Sequence, residues 1–104
     1  MSLAADTALE VMGWQKRIAE RSHPYDGWDR EGRPSISRDN WRPSYDLNQA
    51  LEVLSRATRG ASYRIECQGG SAPLYTLTCG DHTVGPALSL PALMCELALL
   101  VVRA

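Results

Sequence analysis

The sequence lacks an excess of charge of either sign. Its eleven Lys and Arg residues nearly balance twelve Asp and Glu residues, which leaves a formal charge of -1. A chain of this kind presents no broad field to a phosphate backbone or an anionic bilayer. The balance therefore argues against nucleic acid and against a membrane as partners.

The sequence also has few cysteines, and they are not arranged in pairs. Cys67, Cys79 and Cys95 are an odd number with no CxxC spacing, so neither a secreted disulfide framework nor a zinc site is expected. We predict that all three are reduced, buried small hydrophobes. The sequence indicates no metal and no cofactor.

A targeting segment and a membrane-spanning run are absent from the sequence. Residues 1–10 contain no basic stretch followed by an apolar run, so no secretory signal is expected and the default location is the cytoplasm. The longest apolar run, 87–102, is interrupted by Ser89, Pro91 and Glu96. It falls short of the roughly 20 apolar residues that a bilayer-spanning helix needs.

The 104 residues, 44% hydrophobic and 22% charged, predict one globular domain covering 1–104. Apolar periodicity of 3.6 residues predicts three helices and alternation predicts three strands. The predicted helices are 3–19, 45–59 and 89–102; the predicted strands are 62–68, 74–79 and 82–85; residues 20–43 are predicted as an irregular loop.

These elements predict an α+β fold in which a three-stranded antiparallel meander packs with three helices as a layered sandwich. The order is helix, loop, helix, three strands, helix. The residues before Trp41 could add a fourth short strand to the sheet. Ser44, after Pro43, is predicted to cap the second helix, and Ser89 is predicted to cap the third. Gly13, within the first predicted helix, is interpreted as a close-packing position.

The last predicted helix is apolar on nearly every side, so it must be buried on every side. Either the first two helices cover it or a second chain does. We favour a homo-oligomeric contact, a dimer, because contiguous exposed apolar surface is usually an interface. The interface candidates are Leu93, Leu97, Ala98, Leu99 and Val102. Purely structural self-assembly is one alternative function.

The predicted loop gathers aromatic, charged and histidine side chains, and it is the best candidate for a binding site. Its aromatic rings can stack on a base or a sugar while an arginine meets a phosphate. The alternative is that the rings fill the core and the charges pair in solvent. The candidate residues are His23, Tyr25, Asp26, Trp28, Asp29, Arg30 and Arg33.

Catalysis has weaker support in the sequence. Asp81 and His82 can form a base with its orienting carboxylate, and Cys79 is the nearest nucleophile. The hairpin is expected to be too short to bring thiol and imidazole together reliably, and no oxyanion-hole signature is present. No catalytic residue is assigned. A hydrolase or nucleotide-handling enzyme that uses loop carboxylates with His23 or His82 is an alternative.

Two motifs resemble a known family. Val11-Met12-Gly13-Trp14 near the first helix, and Trp41-Arg42-Pro43-Ser44-Tyr45-Asp46 before the second, resemble the phage ABA-sandwich domain over about residues 5–102. The resemblance implies a sheet between helical layers in a small phage or prophage protein, with no activity to carry over. It favours a non-enzymatic module that binds an unidentified host or phage protein. Physically, Trp14 and Trp41 are expected to pack together.

Overall fold

The chain forms three helices and two three-stranded antiparallel sheets, in a computed structural model that describes residues 2–18 and 26–104. The fold is α+β, as predicted. The helices are α1 (Leu3–Asp6), which continues as a π-helical segment (Thr7–Val11), α2 (Leu47–Thr58) and α3 (Leu90–Arg103). The first sheet contains β1 (Gln15–Arg17), β2 (Gly27–Arg30) and β3 (Arg33–Ser37); the second contains β4 (Arg64–Gln68), β5 (Leu74–Cys79) and β6 (His82–Ala87).

The second half of the chain falls on the predicted segments. In this half, the spacing of apolar residues changes from 3.6 to 2 residues and back to 3.6. The corresponding elements are helix α2, the meander β4-β5-β6 and helix α3. Ser89 caps α3, since its hydroxyl accepts a hydrogen bond from the Ala92 amide at 3.3 Å. The cap of α2 is Asp46 and not Ser44, because the Asp46 carboxylate accepts the Gln49 amide at 3.1 Å.

The first predicted helix, 3–19, is too long. Helical structure ends at Val11, and the chain then turns at Gly13, whose φ of +69° suits a residue without a Cβ. The amide of Trp14 donates to the Ala8 carbonyl oxygen at 2.9 Å and closes the turn. Gly13 is therefore a helix-ending residue rather than a packing position, and the residues after it form β1.

The segment predicted as an irregular loop contains a β-hairpin. Strands β2 and β3 are joined through Glu31 and Gly32, and Trp28 lies opposite Ile36. The possible fourth strand before Trp41 corresponds in position to β3, but β3 joins β1 and β2 instead of the meander. Two sheets thus replace the predicted single layered sandwich.

Gly27 on β2 lies close against the backbone of β3. A Cβ at this position would overlap the Ile36 carbonyl oxygen and lie 2.9 Å from the Cα of Ser37. We therefore expect Gly27→Ala to lower the free energy of unfolding by about 1–3 kcal/mol, because the backbone must shift to admit a methyl group.

Urea unfolding followed by circular dichroism measures this difference. Gly69→Ala is the matched control, since a Cβ at Gly69 meets no atom within 4 Å. The control is expected to stay within about 0.5 kcal/mol of the parent chain. Equal effects of the two substitutions would contradict the close approach at Gly27.

Helix α3 is covered by its own chain on three sides. It packs against α2, against β5 and β6, and against the N-terminal helical segments. This corrects the prediction of a helical dimer interface, because the core of the same chain buries four of its five candidates: Leu93, Leu97, Ala98 and Leu99. Val102, the fifth, is exposed, and so is Leu100.

Two tryptophans connect the N-terminal helical segments to the chain that leads into α2. The rings of Trp14 and Trp41 meet edge to face with centroids 4.6 Å apart, as expected from the sequence. The indole Nε1 of Trp41 donates to the Ala4 carbonyl oxygen at 2.9 Å. The two resembling motifs therefore meet in space and form part of the core.

Arg103 fixes the end of α3 to the start of the chain. Its guanidinium donates to both carboxylate oxygens of Glu10, at 2.8 and 2.5 Å, and lies 3.5 Å from Asp6. The hydrogen bond from Arg103 lowers the pKa of Glu10, and the same bond raises the pKa of Arg103. A lowered carboxyl pKa stabilises the fold above the ordinary glutamate pKa, and this contribution is lost as the pH falls through the lowered value.

Candidate binding cleft

An open cleft of about 610 Å³ lies between the β2–β3 hairpin and helix α2, and we call it the hairpin–helix cleft. Its size falls within the range of small-ligand sites. The residues that line it come from the turn after the first helical segments, from the hairpin and from α2: Met12, Gly13, Trp14, Glu31, Arg33, Glu52, Ser55 and Arg56.

An ion pair crosses this cleft and neutralises two of the charged side chains that line it. Arg33 Nη1 on the hairpin lies 2.5 Å from Glu52 Oε1 on α2. Both side chains are partly exposed, so the pair adds little stability, but it ties the hairpin to the helix. Arg56 follows Glu52 by one helical turn. In the described part of the chain Arg56 has no ion-pair partner, because Glu52 points to Arg33.

Arg30 places a second guanidinium beside the cleft. Its Cζ lies 5.5 Å from the centroid of the Trp14 ring, in cation–π geometry, and its Nε donates to the Pro34 carbonyl oxygen at 2.7 Å. Burial lowers the pKa of Arg30, and the nearby positive charge of Arg33 lowers it further, while Glu52 opposes both effects. An anion bound here would therefore reduce the repulsion that the Arg30 cation experiences.

The cleft thus combines two guanidinium groups and two carboxylates in its lining, with the Arg30 guanidinium beside them over the Trp14 ring. Planar guanidinium groups bind carboxylates and phosphates through two parallel hydrogen bonds. Glu31 and Glu52 lie on the same walls and repel a ligand that is anionic along its whole length. The arrangement favours one localised anionic group over a continuous polyanion.

Of the predicted loop candidates that the structure describes, Arg33 lines this cleft, and Arg30 lies beside it through its contact with Trp14. His23 and Tyr25 lie outside the described residues. Asp29 has a structural role, because it accepts hydrogen bonds from Arg17 Nε at 2.6 Å and from Ser35 Oγ at 2.9 Å. Its carboxylate thereby joins the three strands of the first sheet.

Trp28 and Asp26 lie at a different and smaller pocket. Trp28 is only 5% exposed and belongs to the core, so its predicted role as a stacking platform on the surface is corrected. The remaining surface of Trp28 and the half-buried Asp26 line a pocket of about 180 Å³ with Leu9, Lys16 and Arg38. This pocket is too small for a nucleotide, since ligand sites usually exceed about 300 Å³.

For the hairpin between β5 and β6, the sequence predicts that it is too short to bring thiol and imidazole together reliably. Cys79 and His82 are direct cross-strand partners. The buried Cys79 thiol, however, donates to the Ser62 carbonyl oxygen at 3.6 Å. Across residues 2–18 and 26–104, no hydrogen bond joins His82 to a carboxylate. We assign no catalytic role to this pair.

The other two cysteines differ from one another. Cys95 is buried in α3, and burial, followed by the charge of Glu96, raises its pKa to about 12, so the thiol stays protonated. Cys67 on β4 is exposed, which corrects its predicted burial. Among the residues that the structure describes, no group of His, Cys, Asp and Glu is placed to hold a metal ion.

Sequence reasoning missed the contribution of α2 to the cleft. Glu52, Ser55 and Arg56 lie on the polar side of this helix, and only the four-residue spacing of Glu52 and Arg56 marked them as neighbours. Nothing in the sequence connects Glu52 to Arg33 of the hairpin, which is 19 residues away.

No protein-family model, curated protein or solved structure matches the chain. Among the described helices, none combines the length and the apolar character that crossing a bilayer requires.

Proposed function

We propose that the protein is a non-enzymatic binding module that recognises an acidic group of a host or phage protein in the hairpin–helix cleft. The observation that supports the proposal is the arrangement of charged side chains in and beside the cleft. Arg33 is compensated by Glu52, while Arg56 has no ion-pair partner among the described residues and Arg30 is held over Trp14 by a backbone contact. Two guanidinium groups are thus left for an incoming anion.

The chemistry of the cleft favours an acidic peptide segment over a nucleic acid. A carboxylate or phosphate of the partner would bind Arg56 and Arg30 through charge-assisted hydrogen bonds. A continuous phosphate backbone would also meet Glu31 and Glu52. We therefore propose a partner segment that carries isolated acidic side chains.

A phage or prophage origin and a cytoplasmic location belong to the same proposal. The two motifs that resemble the phage ABA-sandwich domain meet at Trp14 and Trp41, directly beside the cleft. All three cysteines are free thiols, which supports a reducing compartment.

A titration with a short peptide that contains isolated glutamates tests the proposal. NMR shifts of the Trp14 indole and Arg30 Nε–H signals report on binding. We expect saturable shifts and a three- to tenfold weaker affinity, roughly, for Arg56→Gln, because one charge-assisted contact is lost.

Arg42→Gln is the matched control, since Arg42 is exposed and does not line the cleft. Its affinity should equal that of the parent chain. Shifts that do not saturate, or an equal loss of affinity in both variants, would contradict binding at the cleft. A parallel titration with inorganic phosphate shows whether the anion alone is sufficient.

A further inference from the structure

Strand β4 is an open edge of the second sheet. All five of its residues are exposed, and it pairs with β5 in five consecutive positions without a bulge. The other edge strand, β6, contains Gly85 and Pro86 and has a register shift against β5, features that prevent further pairing. Of the two edges, only β4 offers a regular backbone ladder to another strand.

The side chains of β4 alternate between a polar face and a less polar face. Arg64, Glu66 and Gln68 share the polar face, where Arg64 Nε lies 3.2 Å from Glu66 Oε1. Ile65, which is 41% exposed, and Cys67 share the other face with Leu77. Helix α3 packs against β5 and β6, and it leaves β4 uncovered.

The order of the charges makes β4 complementary to itself. In an antiparallel pair of two β4 strands centred on Ile65, Arg64 of each copy lies opposite Glu66 of the other, and the two Ile65 side chains meet. Opposite charges in directly facing positions stabilise a strand pair, and like charges destabilise it. An antiparallel pair centred on Arg64 or on Glu66, or a parallel pair in register, places like charges opposite each other.

We infer that the protein forms a homodimer through β4, in the antiparallel register centred on Ile65. The two meanders then form one continuous six-stranded sheet, with a cluster of alternating Arg64 and Glu66 charges on one face. The contact uses neither α3 nor the hairpin–helix cleft, so it is independent of the proposed binding function. The dimer presents two copies of the cleft to its partner.

Sedimentation equilibrium of the full chain and its variants tests this inference. Arg64→Glu places a second carboxylate opposite Glu66 of the other copy, and we expect it to weaken dimerisation by about tenfold or more. The double variant R64E/E66R restores opposite charges in the same register and is expected to recover an affinity within about threefold of the parent chain.

Arg42→Glu is the matched control for net charge and should leave the dimer unchanged, since Arg42 is exposed and distant in sequence from β4. Thermal unfolding of each variant verifies the fold, and it should be retained because both β4 side chains are exposed.

The register is tested by Ile65→Cys in a Cys67→Ser background, where mild oxidation is expected to form a disulfide between the two copies. Three results would overturn the inference. The first is a parent chain that remains monomeric at its highest soluble concentration, and the second is a dimer that R64E does not weaken. The third is a Cys67–Cys67 disulfide in the parent dimer, which would place the centre of the strand pair at Cys67 instead of Ile65.

Discussion

Replacement of Trp41 by alanine is expected to lower the free energy of unfolding by about 3–5 kcal/mol. The side chain is almost fully buried, and it contacts Trp14 edge to face. Its removal leaves a large cavity and also leaves the Ala4 carbonyl oxygen without its Nε1 donor. A domain of this size has a total stability of about 5–15 kcal/mol, so the variant should be close to unfolding.

Urea unfolding followed by far-ultraviolet circular dichroism measures this effect without relying on tryptophan fluorescence. Trp41→Phe keeps part of the ring volume but loses the hydrogen bond to Ala4, and an intermediate loss is expected. Tyr45→Ala is the control, since Tyr45 is 85% exposed and lies four residues along the chain. If Trp41→Ala and Tyr45→Ala had similar stabilities, Trp41 would not be part of the core.

The second large effect is expected at two adjacent leucines of α3. Leu99 is 4% exposed, whereas Leu100 is 42% exposed. Leu99→Glu places a carboxylate in the core, which costs several kcal/mol and is expected to abolish the fold. Leu100→Glu exposes its carboxylate to solvent and should change the free energy of unfolding by less than about 1 kcal/mol.

Soluble expression and thermal unfolding of the two variants measure this contrast. The result also bears on the sequence-based prediction of a helical dimer interface, in which Leu99→Glu would split the oligomer or precipitate it. A folded, soluble Leu99→Glu variant would therefore argue that another chain, and not the core of the same chain, covers this side of α3.

The second half of the fold could be predicted because its local signals agree with its tertiary structure. Apolar and polar residues alternate in β4 and β5, and apolar residues recur with helical spacing in α3. These patterns predict the same elements that the tertiary structure contains. The face of α2 is less well predicted, since the periodicity places Leu47 and Leu51 on its apolar stripe and both are exposed. Packing selects Val53 instead, which is fully buried.

The first half could not be predicted because its strands are largely polar. Residues 15–17 read Gln-Lys-Arg, and they form a strand through backbone pairing and through the Arg17–Asp29 contact, neither of which leaves an alternating pattern. In the hairpin, only Trp28 and Ile36 provide an apolar pair. The apolar pattern around Gly13 predicts that this residue lies inside a helix, although its positive φ ends that helix.

The site was predictable only where it is local in sequence. Arg30 and Arg33 belong to one hairpin, so a search for clustered charges and aromatic rings finds both. Glu52 and Arg56 reach the same cleft from α2 through the Arg33–Glu52 pair, which depends on the tertiary packing of the first sheet against the helix. A single sequence contains no record of that packing.

The three thiols of the chain differ sharply in their exposure to reagents. Cys67 is open to solvent, whereas Cys79 and Cys95 are enclosed by side chains of the core. An alkylating reagent therefore reaches Cys67 in the native state but modifies the other two only when the core transiently opens. Without any engineering, the protein carries one internal reference and two native probes for measuring how often its interior becomes accessible.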